Sequence, residues 1–163
     1  MDIEEIIDDY EKVHAEQEKE RREIGEKKLE KRRQHAKDLK RFITEVAEPV
    51  FKDVKKTIHN KGYFCEVGVL TLHDMETKSP SMPQSIYMEL SNLKGTAGRP
   101  KKDLKLFRLE FAGDLDSGSV TLRTNVSLHE HGGDPHLPIE QVDKHTVEEQ
   151  ISDFVKEAFS SSV

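Results

Sequence analysis

The stretch FKDVKKTIHNKGYFCEVGVLTL, residues 51–72, changes period at Gly62. Ahead of that glycine, Val54 and Ile58 continue a three-and-four spacing that starts at Leu39 and runs through Phe42, Ile43, Val46 and Val50. That spacing is the mark of a helix packed on a core. Pro49 interrupts it by removing one backbone donor, which predicts a kink or a fresh helix start. Gly62 is placed to end the helix. Beyond it the apolar residues alternate, and alternation is the period of a half-buried strand.

From this switch the reading extends in both directions. Downstream, YFCEVGVLTL (63–72), SIYMEL (85–90), LKLFRLEF (104–111) and SVTLRTNVSL (119–128) read as four strands. Phe107, Leu109 and Phe111 alternate with Arg108 and Glu110, so one face is apolar and the other polar. An antiparallel sheet covered on one side has this pattern. The turn cluster GDLDSGS (113–119) predicts a hairpin between the third and fourth strands. ETKSPSMPQS (76–85) reads as a Ser/Pro loop between the first two. In TVEEQISDFVKEAF, Thr146 and Glu149 form a capping box, and Val147, Ile151, Phe154, Val155, Ala158 and Phe159 share a face. The expected fold is α+β: a long, coiled-coil-like N-terminal helix, a four-stranded antiparallel sheet, and a C-terminal helix packed on it.

Upstream, residues 2–60 carry one proline, one glycine and many unbranched helix formers. Opposite charges recur at helical spacing, as in Glu18 with Arg22, Glu23 with Lys27 and Glu30 with Arg33. Each such pair adds only about 0.2–0.5 kcal/mol. The apolar stripe is thin: Ile3, Ile6, Ile7, Tyr10 and Val13, then Ile24 and Leu29 almost alone. We therefore divide the chain into a charged helical rod at 1–38 and an α+β domain at 39–163. Residues 1–20 hold nine acids and two bases, and residues 21–41 hold four acids and ten bases. An antiparallel partner sets acidic half on basic half, so the expectation is a homodimer with antiparallel helices, paired through Ile3, Ile6, Tyr10, Val13, Ile24 and Leu29.

Composition bounds what the protein does. Of 163 residues, 36% are charged and 34% hydrophobic, with a net charge of -6. The mean hydropathy of -0.75 is low for a globular protein. Residues 1–61 hold 16 acids and 16 bases, and the remainder holds 16 and 10, so the net charge lies on the second part. A globally acidic chain is a poor general binder of nucleic acid unless a basic patch is set apart. One cysteine, Cys65, allows no intramolecular disulfide. The acidic start lacks a secretory pattern, and no apolar run reaches the roughly 18 residues of a membrane span. The expectation is a cytoplasmic protein without a membrane segment.

Two stretches carry candidate chemistry. HEHGGDPH (129–136) places His129, His131 and His136 around a Gly-Gly-Asp-Pro turn. Neutral imidazoles so spaced are candidate ligands for Zn²⁺, with Asp134 or Glu130 adding an oxygen. Gly132, Gly133 and Pro135 equally account for a plain surface turn. KGTAGRPKK (94–102) resembles the core of an AT-hook: Gly98, Arg99 and Pro100 match its Gly-Arg-Pro, and Lys101 and Lys102 match its basic flank. That resemblance implies contact with the A·T minor groove, where arginine reads the narrow groove's negative potential. A basic run, KKLEKRRQHAKDLKR (27–41), would add phosphate contacts through Arg32 and Arg33. The alternatives are a basic loop joining two strands and one half of a salt-bridged helix.

DLDSG (114–118) has the first two acids of a calcium loop, but Asn125 stands where its bidentate Glu belongs, so a turn is expected. Cys65 reads as a small buried apolar residue. The chain contains no Gly-rich phosphate loop, no Gly-x-Ser-x-Gly elbow and no His-Glu-x-x-His. The pattern points first to a non-enzymatic, self-associating adaptor that binds a protein partner through its α+β domain, without a cofactor. A DNA-associated protein is the second reading and a metal site the third.

Overall fold

A computed structural model describes residues 2–74, 79–126 and 135–161. Helix α1 (Ile3–Arg41) begins where the Asp2 carboxylate accepts the Glu4 and Glu5 N–H groups. Its register then widens into a π-helical segment, Phe42–Ala47, in which the Glu48 N–H donates to the Ile43 carbonyl. Pro49 has no N–H to give the Glu45 carbonyl four residues back, and its ring would crowd that oxygen. The wider turn absorbs the defect, and α2 (Glu48–Asn60) starts with the proline in its first turn. Helix α2 ends at Gly62, φ 96°. There the Tyr63 N–H bonds the Ile58 carbonyl and the Gly62 N–H bonds His59, the paired bonds of a Schellman cap.

Strands β1 (Cys65–Asp74), β2 (Ser79–Leu90), β3 (Phe107–Asp114), β4 (Ser119–Thr124) and β5 (His136–Pro138) follow. They form one antiparallel sheet in the order β1-β2-β3-β4-β5. The sheet thus has five strands where the alternation predicted four. The added β5 pairs Leu137 with Val120 and His136 with Thr121. Three residues ending in proline are too short to display a period. β2 also begins earlier than expected, inside the stretch read as a loop. Its first part pairs only with β1: the β2–β3 ladder ends at Ser85↔Ala112, beyond which the Gln84 side chain, not the backbone, donates to the Gly113 carbonyl. Pro83 therefore has no donor to give on that side, which is where a strand tolerates proline.

One face of the sheet is the core. Ile86, Met88 and Leu90 of β2 lie level with Phe111, Leu109 and Phe107 of β3, and all are buried. Phe111 meets Phe42 and Phe51 edge-on at 6.0 and 5.8 Å between ring centroids. The end of α1, the π segment, α2 and α3 (Lys144–Ser160) cover this face. α3 contributes Val147, Ile151, Phe154 and Ala158. Its cap is Asp143, whose carboxylate accepts both the N–H and the hydroxyl of Thr146. This corrects the expected cap at Thr146: both bonds from Thr146 go to the Asp143 carboxylate, so the helix starts three residues earlier.

Helix α1 joins the domain from Arg32 onward. Arg32 pairs with Asp116, the His35 Nδ1 bonds the Leu115 carbonyl, and Ala36 and Leu39 are buried. Residues 3–28 are all exposed. At 1.5 Å per residue they extend about 40 Å beyond the last anchoring turn.

Candidate functional site: the open sheet face and its β1 edge

The face turned away from the helices is built from three cross-strand rows. Glu66, Glu89 and Arg108 lie level, then Gly68, Tyr87, Glu110 and Arg123, then Leu70, Ser85, Ala112, Thr121 and His136. Glu66 and Glu89 are direct neighbours, and like charges so placed repel. Lys101 answers both: its Nζ stands 2.6 Å from Glu89 and 3.3 Å from Glu66. Arg108 adds a 3.2 Å bond to Glu89 and lies 4.2 Å above the centre of the Tyr87 ring, within cation–π range. Tyr87 itself lies across Gly68, where a Cβ would stand 2.5 Å from its Cζ. The bond from Glu89, with that from Glu66, holds the Lys101 ammonium above its ordinary range.

The loop bearing the AT-hook-like residues is clasped to the end of α2. The Gly62 carbonyl accepts the N–H groups of Gly95, Thr96 and Ala97 at 2.9, 3.1 and 3.3 Å. Thr96 is buried; its hydroxyl accepts the Phe64 N–H at 2.9 Å and donates to the Leu93 carbonyl at 2.6 Å. The five residues of the motif therefore have different surroundings. Arg99, Lys101 and Lys102 are all exposed, but only Lys101 is committed to the two glutamates. Of the helical pair, Arg32 reaches Asp116 and Arg33 reaches Glu30 at 3.9 Å. Thr96 had no signal in the sequence beyond a polar residue between glycines.

A groove of about 360 Å³ opens between α2, the start of β1 and this loop. Lys55, His59, Phe64, Cys65, Glu66, Gly98 and Lys101 line it. Burial pushes the Cys65 thiol up to about 12, against the opposing pull of Lys55. Cys65 is thus a protonated, buried side chain at neutral pH, as its place in an apolar strand suggested.

Of the histidine stretch, His129 and His131 lie outside the described residues. His136 stands in β5, its Nδ1 2.9 Å from the Thr121 hydroxyl. Among the described residues no group of three or more His, Cys, Asp or Glu is placed to hold a metal. DLDSG is a hairpin turn: the Asp114 carboxylate accepts the Asp116 and Ser117 N–H groups, and Asp116 holds Arg32. On the rod, Ile3, Ile6, Ile7, Tyr10, Val13 and Ile24 are 50–68% exposed, and Leu29 is half-buried. No helix among the described residues is long and apolar enough to cross a membrane. Comparison of the chain with protein-family models, curated proteins and solved structures finds no match.

Proposed function

We propose that the protein is a non-enzymatic, self-associating adaptor: α1 pairs with α1 of a second copy, and the α+β domain holds a protein partner. The observation that carries this reading is the exposed stripe Ile3, Ile6, Ile7, Tyr10, Val13 and Ile24 on a helix arm without a core of its own. An isolated helix with so thin a stripe gains little from propensity alone. Burying these side chains against a partner would contribute about 1.5–3 kcal/mol for each one fully covered.

Charge favours the antiparallel orientation, with the nine acids of residues 1–20 facing the ten bases of residues 21–41. Support for a binding role of the domain comes from its outer face, where Glu89 is held by Lys101 and Arg108 and the charges are arranged in fixed pairs. Sedimentation equilibrium of the full chain tests the association. A dimer mass that falls to the monomer mass in the double variant Ile6→Asp, Tyr10→Asp supports it. A monomer at all concentrations would falsify it.

A further inference from the structure

We infer that the free edge of β1 is a docking site for an acidic segment of another protein, bound in extended conformation as a sixth strand. This names the partner class for the domain half of the adaptor reading and is independent of how α1 pairs.

The backbone makes the first part of the case. Among the described residues β1 stands at the end of the sheet and pairs on one side only. The Ser91 N–H donates to the Phe64 carbonyl, and the register from Cys65↔Leu90 to Leu70↔Ser85 is continuous. Alternation of an antiparallel ladder then directs the even-numbered residues toward β2. It leaves the N–H and C=O groups of Cys65, Val67 and Val69 facing outward. Edges are commonly guarded by proline, lysine, a bulge or shortness. Residues 65–70 contain no proline or lysine, and the register shift begins only after Leu70. The opposite edge is guarded in this way: β5 has three residues and ends at Pro138.

The groove locates the contact. α2 covers the inner face of the sheet, and Lys101 lies on the outer face over Tyr87. The groove, with Lys55 and His59 on one wall, Gly98 and Lys101 on the other and Phe64, Cys65 and Glu66 between them, lies at the start of the β1 edge, where an added strand running along Val67 and Val69 would enter it. An added strand sends alternate side chains to either side, toward α2 and toward the loop.

Charge selects the occupant. The Lys101 ammonium is answered by Glu89 and Glu66. Lys55 in the lining, and Arg99 and Lys102 exposed on the loop that carries Gly98 and Lys101, have no ion-pair partner among the described residues, so these cations are left over once Lys101 has answered Glu66. A second copy fits poorly, because a two-fold β1–β1 pairing sets the Lys55 and His59 wall of the groove beside its own equivalent. Nucleic acid meets the positive charge but cannot complete a backbone ladder. An extended segment with alternating acidic side chains does both.

The test uses the full, isotopically labelled chain and a capped heptapeptide of alternating glutamate and valine, with a lysine–valine counterpart. In the free protein the Val67 and Val69 amides exchange faster than those of Glu66 and Gly68. The glutamate peptide slows exchange at Val67 and Val69 by about tenfold or more, a coupling worth about 1.4 kcal/mol. The variant Lys55→Glu, Arg99→Glu, which changes one half-buried and one exposed cation, loses this protection while keeping its fold. Val69→Pro, which removes one outward N–H next to a permissive glycine, loses it too. The Ile6→Asp, Tyr10→Asp variant binds the peptide unchanged, which separates this site from the rod. The inference is overturned by unchanged exchange at Val67 and Val69, or by equal protection from the lysine peptide. It is also overturned by protection that rises with protein concentration alone, or by an A·T-rich duplex that binds through Arg99 and leaves the two amides unprotected.

Discussion

The two halves of the helical run from Ile3 to Asn60 have similar local chemistry and opposite energetics. Both are rich in unbranched, charged helix formers, and both carry apolar residues at helical spacing. In the first half every residue through Lys28 is exposed, and the contacts are local, such as His14 with Glu18 at 3.3 Å and Tyr10 stacked on His14. In the second half Leu39, Ile43, Ala47 and Phe51 are completely buried against the sheet. Helical spacing in a sequence therefore identifies a face without saying what covers it. Local density does not say it either: Ile3, Ile6, Ile7 and Tyr10 repeat the spacing of Leu39, Phe42, Ile43 and Val46, yet the first four are exposed while Leu39, Phe42 and Ile43 are buried.

The sharpest test of this contrast is one truncation in each half. Leu39→Ala removes a buried side chain that packs over Gly113, and its cost is expected to be about 2–5 kcal/mol. Ile6→Ala alters an exposed position and should leave domain unfolding within about 0.5 kcal/mol. Urea denaturation at a concentration where the chain is monomeric measures both. Similar losses in the two variants would mean that the arm folds back on the domain.

Within the basic loop at residues 94–102, a buried and an exposed side chain differ in the same way. In sequence, residues 94–102 read as a basic loop joining two strands; in the structure Thr96 secures them to the chain leaving α2. Thr96→Val keeps the shape, strands the Phe64 N–H and leaves the Leu93 carbonyl without its donor. The expected cost is about 1–3 kcal/mol. Arg99→Ala, in the same loop but exposed, should change stability little, within about 0.5 kcal/mol. Thermal unfolding of the pair checks this, and equal midpoints would show that the clasp carries no weight.

The limits of sequence reading track the same division between local and distant contacts. Phe107, Leu109 and Phe111 announce their strand because alternation is a property of neighbours in the chain. The fifth strand, His136–Pro138, exists only because Val120 and Thr121 are beside it. The early start of β2 is hidden by Pro83, which is tolerated because the β2–β3 ladder ends at Ser85. On the candidate site, Arg99, Lys101 and Lys102 are legible as basic residues in a Gly/Pro loop. That Lys101 is used up by Glu66 and Glu89 is not, since the three meet only through the register of β1 and β2. Asn92 is similarly silent: it donates to the Ala158 and Ser161 carbonyls at the end of α3, far along the chain.

Salt separates the rod from the domain more gently. The facing acidic and basic halves proposed for the α1 pair are exposed, so their attraction is screened once the Debye length falls below the spacing of the charges, about 3 Å at 1 M. Dimer dissociation should therefore increase from low salt to 1 M, whereas domain unfolding, set by the buried sheet face, should move much less. A dimer that tightens with salt would indicate an interface held by Ile3, Ile6 and Tyr10 alone and would remove the argument for antiparallel helices.

The smallest expected effect concerns how each helix begins. Asp2 and Asp143 both cap a helix, but only Asp143 receives two bonds from one residue, the N–H and the hydroxyl of Thr146. These bonds, the backbone one first, hold the Asp143 carboxyl below its usual range. A carboxylate whose folded pKa is depressed contributes stability that is present above its unfolded pKa. That contribution is lost as pH falls through the folded value, so the window lies below about pH 4. The melting temperature of the Asp143→Asn variant should consequently fall less steeply over that window than that of the parent chain, while the two run parallel from pH 5 to 8. Because Asp143 is at the surface, the difference will be slight, and Asp2→Asn, on the undocked arm, should show none in the melting of the domain. Identical profiles for the Asp143→Asn variant and the parent would return the cap of α3 to Thr146 and Glu149.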